Sequence, residues 1–135
     1  MSLYTVWARA AAALVGLTYV LLGVWALLAP GSFYDSIASF PPDNAHFLRD
    51  VGAFQIGIGL TALACAAAPT GKRWVMASVA AATALHVMTH VVDVDAGGSP
   101  VRDLTSLVLM TVVAAVAAMG MPAAPQERRV GERAS

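Results

Sequence analysis

Two histidines and an aspartate, His86, His90 and Asp93, stand four and three residues apart within the apolar stretch Ala80–Asp95. On a helix those spacings hold all three within an arc of about 60°. Such a stripe permits three kinds of chemistry. As acid–base groups, His86 or His90 would work with Asp50 or Asp93 on an apolar substrate. As ligands, His86, His90 and Asp93 would offer a metal ion (zinc, copper or iron) two imidazoles and a carboxylate. His46 or Asp50 would then complete the set from a neighbouring helix. As a pocket, His86 and His90 would face Gln55, Asp50 and Arg49 and bind a ligand. The structural alternative is a polar network, in which the imidazoles hydrogen-bond to Gln55, Thr89 or Asp50 and hold helices together.

Several chemistries find no counterpart in the sequence. It has no Ser-His-Asp order, phosphate loop, CxxC pair or nucleotide fingerprint. The repeated Glu-x-x-His pairs of di-iron bundles are missing as well. Met88 and Met110 read as packing residues rather than axial ligands. The one cysteine, Cys65, lies in an apolar run and has no intrachain disulfide partner. The formal net charge is zero, which argues against nucleic acid as a partner.

The elements that must position the stripe are membrane helices. Of 135 residues, 59% are hydrophobic and only 12% are charged, against about 25% charged in soluble domains. Mean hydropathy is +0.71. A globule this small cannot bury so much apolar surface, so lipid is the expected solvent. Four apolar segments of spanning length are predicted, at about 10–29, 49–68, 74–92 and 103–121. The fold expected is therefore all-α, a polytopic four-transmembrane-helix bundle in one domain, residues 1–122. Residues 123–135 form a charged tail.

Between the spans, Pro30-Gly31 ends the first helix. Ser32–Ala45 is amphipathic through Phe33, Tyr34 and Phe40, and predicts a short interfacial helix over 32–39. Residues 1–9 read as an interfacial lead with Tyr4 and Trp7. Small residues recur every seven positions, Gly16 and Gly23 in the first span and Gly52, Gly59 and Ala66 in the second, as helix-packing faces. Arg49-Asp50 and Arg102-Asp103 open spans two and four in parallel fashion, an echo of two related hairpins. Asp50 and Asp103 there complement helix N-terminal dipoles.

Charge placement orients the bundle. Arg9, Lys72, Arg73, Arg128, Arg129 and Arg133 fall on one side and only Arg49 and Arg102 on the other. The positive-inside rule puts the first group, and both termini, in the cytoplasm. Measured from Val92, His86 then lies about 9 Å below the outer end of its span and His90 about 3 Å. His90 and Asp93 read equally well as ordinary interfacial residues, whereas polar groups at the depth of His86 and Gln55 face the bundle interior or a wet cavity.

The Arg-Asp-x-Gly-x-x-Gln stretch at Arg49–Gln55 and the glycine-rich faces resemble those of small bacterial four-helix membrane proteins of the DoxX-like kind. The resemblance implies a four-helix fold in the plasma membrane and carries no catalytic residue. The function expected is binding of a hydrophobic or lipid-like ligand, or of partner helices, through a polar His/Asp/Gln pocket near the outer face. A membrane-embedded enzyme is the alternative, and a proton or ion conductor ranks last. The partners expected are membrane lipid, a small hydrophobic ligand, and a second copy or a partner membrane subunit.

Overall fold

The computed structural model describes residues 2–124, and most of the charged tail, 125–135, lies outside them. Five helices follow in order: α1 Leu3–Leu28, α2 Pro30–Ser36, α3 Ala45–Ala67, α4 Arg73–Val92 and α5 Pro100–Gly120. No strand occurs among the described residues. All but α2 are long and apolar enough to cross a membrane. Their outward faces carry large apolar side chains, among them Leu14, Leu17, Leu21, Phe54, Leu85 and Val112. Exposed apolar surface of that extent suits helices that lie in a membrane.

The first span corrects the expected lead at residues 1–9. Ser2 caps α1, its hydroxyl accepting from the Thr5 N–H at 3.3 Å. Nothing in 3–9 breaks a helix, and Thr5 and Ala8 are buried, so the lead is the first two turns of α1. Twenty-six residues make α1 about 39 Å long, so it outreaches a hydrocarbon core of about 30 Å. Tyr4, Trp7 and Trp74 are exposed near this end, where an aromatic belt belongs. Helix α3 also starts early, at Ala45, because Asn44 accepts from the Phe47 N–H at 3.1 Å. Asp50 is therefore in the second turn, outside the reach of the N-terminal dipole that was expected to hold it.

The two heptad-spaced glycine stripes pack against each other. A Cβ on Gly23 would lie 2.6 Å from the Gly52 carbonyl oxygen, and one on Gly16 2.8 Å from that of Gly59. The reciprocal distances are 2.6 and 2.7 Å. Helices α1 and α3 are thus antiparallel with their backbones in near contact. A third pairing extends the register, as Arg9 Nε donates to the Ala66 carbonyl at 2.8 Å. Helices α4 and α5 form the second antiparallel pair, and α5 joins it to α1. Gly120 abuts Ala8 and the Tyr4 carbonyl, so the described chain ends lie together.

Packing differs between the two ends. Around the chain ends, Ala8, Ala12, Ala62, Cys65, Ala114 and Ala117 make a close core of small side chains, filled out by Met76 and Met121. Arg73 donates to the Met119 carbonyl at 3.1 Å, satisfying a helix-terminal acceptor. At the opposite end a smaller cluster, Ala26, Phe33 and Leu48, seats α2 across the bundle. Pro30 occupies the first turn of α2, where it has no amide hydrogen to waste. Between the two cores the helices leave a cavity.

Candidate functional site

The cavity has a volume of about 370 Å³ and takes lining residues from all five helices and from the 37–44 segment. Its walls are mainly apolar, including Leu22, Ile37, Leu48, Val51, Leu107 and Met110. Gln55, His86 and His90 line it together, from α3 and α4. Three of the residues singled out by spacing and depth thus share one space.

The other candidates are elsewhere. Arg49, Asp50 and Asp93 are exposed and do not line the cavity. His46 is 86% exposed and faces Asp50 one turn on, at 3.6 Å, on the outer surface of α3. Asp93 is the C-cap of α4, beyond the last helical turn. Its N–H still bonds the Thr89 carbonyl, so it keeps the helical position below His86, but there it is exposed and outside the cavity. The pairing of His86 or His90 with Asp50 or Asp93 for acid–base work is therefore not assembled. No three His, Cys, Asp or Glu side chains among the described residues gather into a group able to hold a metal ion. The donor set of His86, His90, Asp93 and His46 is reduced to two adjacent imidazoles.

The structural network fails on Gln55. Its side chain is buried, 9% exposed, and its Oε1 has no hydrogen-bond partner among the described residues. Thr89 donates instead to the His86 backbone carbonyl, at 2.8 Å. The imidazoles meet each other and an aromatic ring. His86 and His90 lie 5.0 Å apart between centroids, and Phe40 stands edge-to-face on His90 at 5.3 Å.

Asp103 is the carboxylate that does line the cavity, 7% exposed. Its place in the first turn of α5 was legible, and one oxygen accepts the Ser99 N–H at 2.8 Å as a helix cap. Its inward position was not legible, because a charge at the edge of a span looks interfacial. The other oxygen accepts from Arg102 Nε at 2.8 Å. Arg102 then reaches over the end of α2, donating to the Ser36 and Ile37 carbonyls at 2.8 and 3.1 Å. These acceptors are C-terminal carbonyls of a helix, where a cation is favoured. Arg102-Asp103 and Arg49-Asp50 therefore differ in role: the first pins the roof and the second faces outward.

The roof itself is the feature that sequence reasoning missed as part of the site. Phe33 from α2 and Phe40 beyond it line the cavity at the α2 end. Trp25 stacks edge-to-face on Phe33 at 5.6 Å. Gly98 donates its N–H to the Ser39 carbonyl at 3.1 Å. A Cβ on Gly98 would lie 2.7 Å from both the Phe40 ring and the Asp103 carboxylate, and its φ of +71° suits glycine alone. The only sequence signal for the roof is the amphipathic run of Phe33, Tyr34 and Phe40.

Fold and site together define a small all-helical protein with four helices long and apolar enough to span a membrane, and an apolar cavity with a few convergent polar groups. In comparisons with family models, curated proteins and solved structures, the chain matches none.

Proposed function

We propose that this protein binds a small, lipid-like molecule in the roofed cavity. We place it in the plasma (inner) membrane with both termini cytoplasmic and the cavity in the outer half. The orientation rests on the six-to-two split of basic residues, and the DoxX-like resemblance implies the same membrane.

One observation carries the binding reading: the unpartnered Oε1 of buried Gln55 on the wall of an apolar cavity. Leaving such an acceptor unsatisfied costs about 1–3 kcal/mol. A molecule bringing an apolar body and one hydrogen-bond donor removes that cost and fills the space. The volume of about 370 Å³ falls in the range of small-molecule sites. It is too small for a partner helix, whose diameter is about 10–12 Å.

Isothermal titration of the detergent-purified protein with 4-butylphenol tests this reading. Saturable binding near one per chain is expected, and it should be lost when Val51→Phe or Leu107→Phe fills the cavity without loss of helix content. Binding that both filled variants retain, or none by the folded wild type, overturns it.

A further inference from the structure

We infer that the cavity selects an uncharged, aromatic molecule bearing a hydroxyl, a phenol or aryl alcohol, and rejects organic anions. This inference rests on the binding reading above and adds the ligand's chemical class.

The first argument is the balance of charge and hydrogen-bonding groups. Asp103 is the one Asp, Glu, Lys or Arg among the lining residues. Both its oxygens are engaged, by Ser99 N–H and by Arg102. Arg102 is about half exposed, and its terminal nitrogens point away to the α2 carbonyls. An anionic head would find no lining Lys or Arg to pair with, since Arg102 is taken up by Asp103 and the carbonyls at the end of α2. A cationic head would find no free carboxylate, since Asp103 already has its counter-ion. Of the neutral groups nearby, Thr18 donates to the Leu14 carbonyl and Ser106 to that of Asp103. The Tyr19 and Tyr34 hydroxyls and the His86 and His90 imidazoles also line the cavity and can bond an uncharged hydroxyl. Gln55 Oε1 is the fully buried acceptor without a partner among the described residues, and with no free charge beside it an uncharged donor suits it.

The second argument is the shape of the wall. The chain has four phenylalanines and three tyrosines. Five of them (Tyr19, Phe33, Tyr34, Phe40 and Phe47) line this cavity, beside the two imidazoles. Ring-to-ring contacts already run edge-to-face from Phe40 to His90. Flat rings gain from such partners beyond their area, through offset-stacked and edge-to-face contacts. A flexible aliphatic alcohol forgoes that gain and loses chain entropy on ordering.

Four probes separate these terms: 4-butylphenol, butylbenzene, 4-butylbenzoate and 1-octanol. Titrations at pH 8 keep the phenol neutral and the benzoate ionised. The wild type should bind 4-butylphenol several-fold more tightly than 1-octanol and give no saturable signal with 4-butylbenzoate. Gln55→Met keeps the side chain's length while removing the acceptor. It should weaken 4-butylphenol about tenfold, the ordinary worth of one hydrogen bond, and leave butylbenzene unchanged. Equal loss for both ligands, benzoate binding as tight as the phenol, or octanol as tight as the phenol overturns this selectivity. Should Gln55→Met not fold, the wild-type comparison of phenol, octanol and benzoate decides alone. Failure of all four probes to bind the folded wild type would instead sink the binding reading itself.

Discussion

Gln55 and His46 show how little residue type says about burial. Both are polar residues of α3, nine positions apart, yet Gln55 is enclosed and His46 is almost fully exposed. The buried one has an oxygen without a partner among the described residues, and such groups cost more than a made hydrogen bond returns. Gln55→Leu should therefore raise stability, by about 1–2 kcal/mol, while 4-butylphenol binding falls. That opposition between stability and binding marks a site rather than a scaffold residue. His46→Ala loses only an exposed pair with Asp50 and should stay within about 0.5 kcal/mol of wild type. Melting curves in one detergent check both, and a destabilised Gln55→Leu would mean that Oε1 has a partner in the folded protein.

Among the elements, α1 and α3 are held by geometry that a single methyl group violates. Gly23 and Gly52 would each place a Cβ 2.6 Å from the other's carbonyl oxygen. Those obstacles are backbone, which cannot rotate aside. Gly52→Ala or Gly23→Ala should cost about 1–3 kcal/mol, as overpacked sites do, and Gly52→Leu more. Gly57 lies on the same helix as Gly52, and a methyl group added there would meet nothing within 4 Å. Gly57→Ala should be neutral or stabilising by up to about 1 kcal/mol, since only helix propensity changes. Equal melting of the Gly52→Ala and Gly57→Ala variants would show that the glycine faces are not the contact. The seven-residue spacing was legible in the sequence because close helix approach in lipid relies on small residues. Which stripe meets which required the fold.

For the whole molecule, the placement of its ends and basic residues predicts sidedness. In a Cys65→Ala background, Ser36→Cys and Asp43→Cys should react with a membrane-impermeant maleimide applied to intact cells. Thr70→Cys should react only after lysis. All three parent residues are exposed, so access depends on side and not on burial. The reverse pattern would turn the bundle over and place the cavity in the cytoplasmic half.

The sequence by itself determined the four long helices, the polar turns between them and the small-residue faces. Each of these depends on a short window of chain: hydropathy over about 20 residues, a proline, or a seven-residue spacing. It also put His86 and Gln55 at comparable depth, with His90 one turn nearer the surface, since depth follows from counting 1.5 Å per residue along a helix. Tertiary structure alone decided which polar groups meet. Rotation of α3 about its axis turns Gln55 inward and leaves Asp50 outside, and the contact of its glycines with those of α1 fixes that rotation. Asp93, at the end of α4, stays exposed outside the cavity, while Asp103 enters through the start of α5. The roof depends on Arg102 bonding to carbonyls 65 and 66 positions away in sequence. No local window contains such a contact, because its energy exists only once the helices have packed.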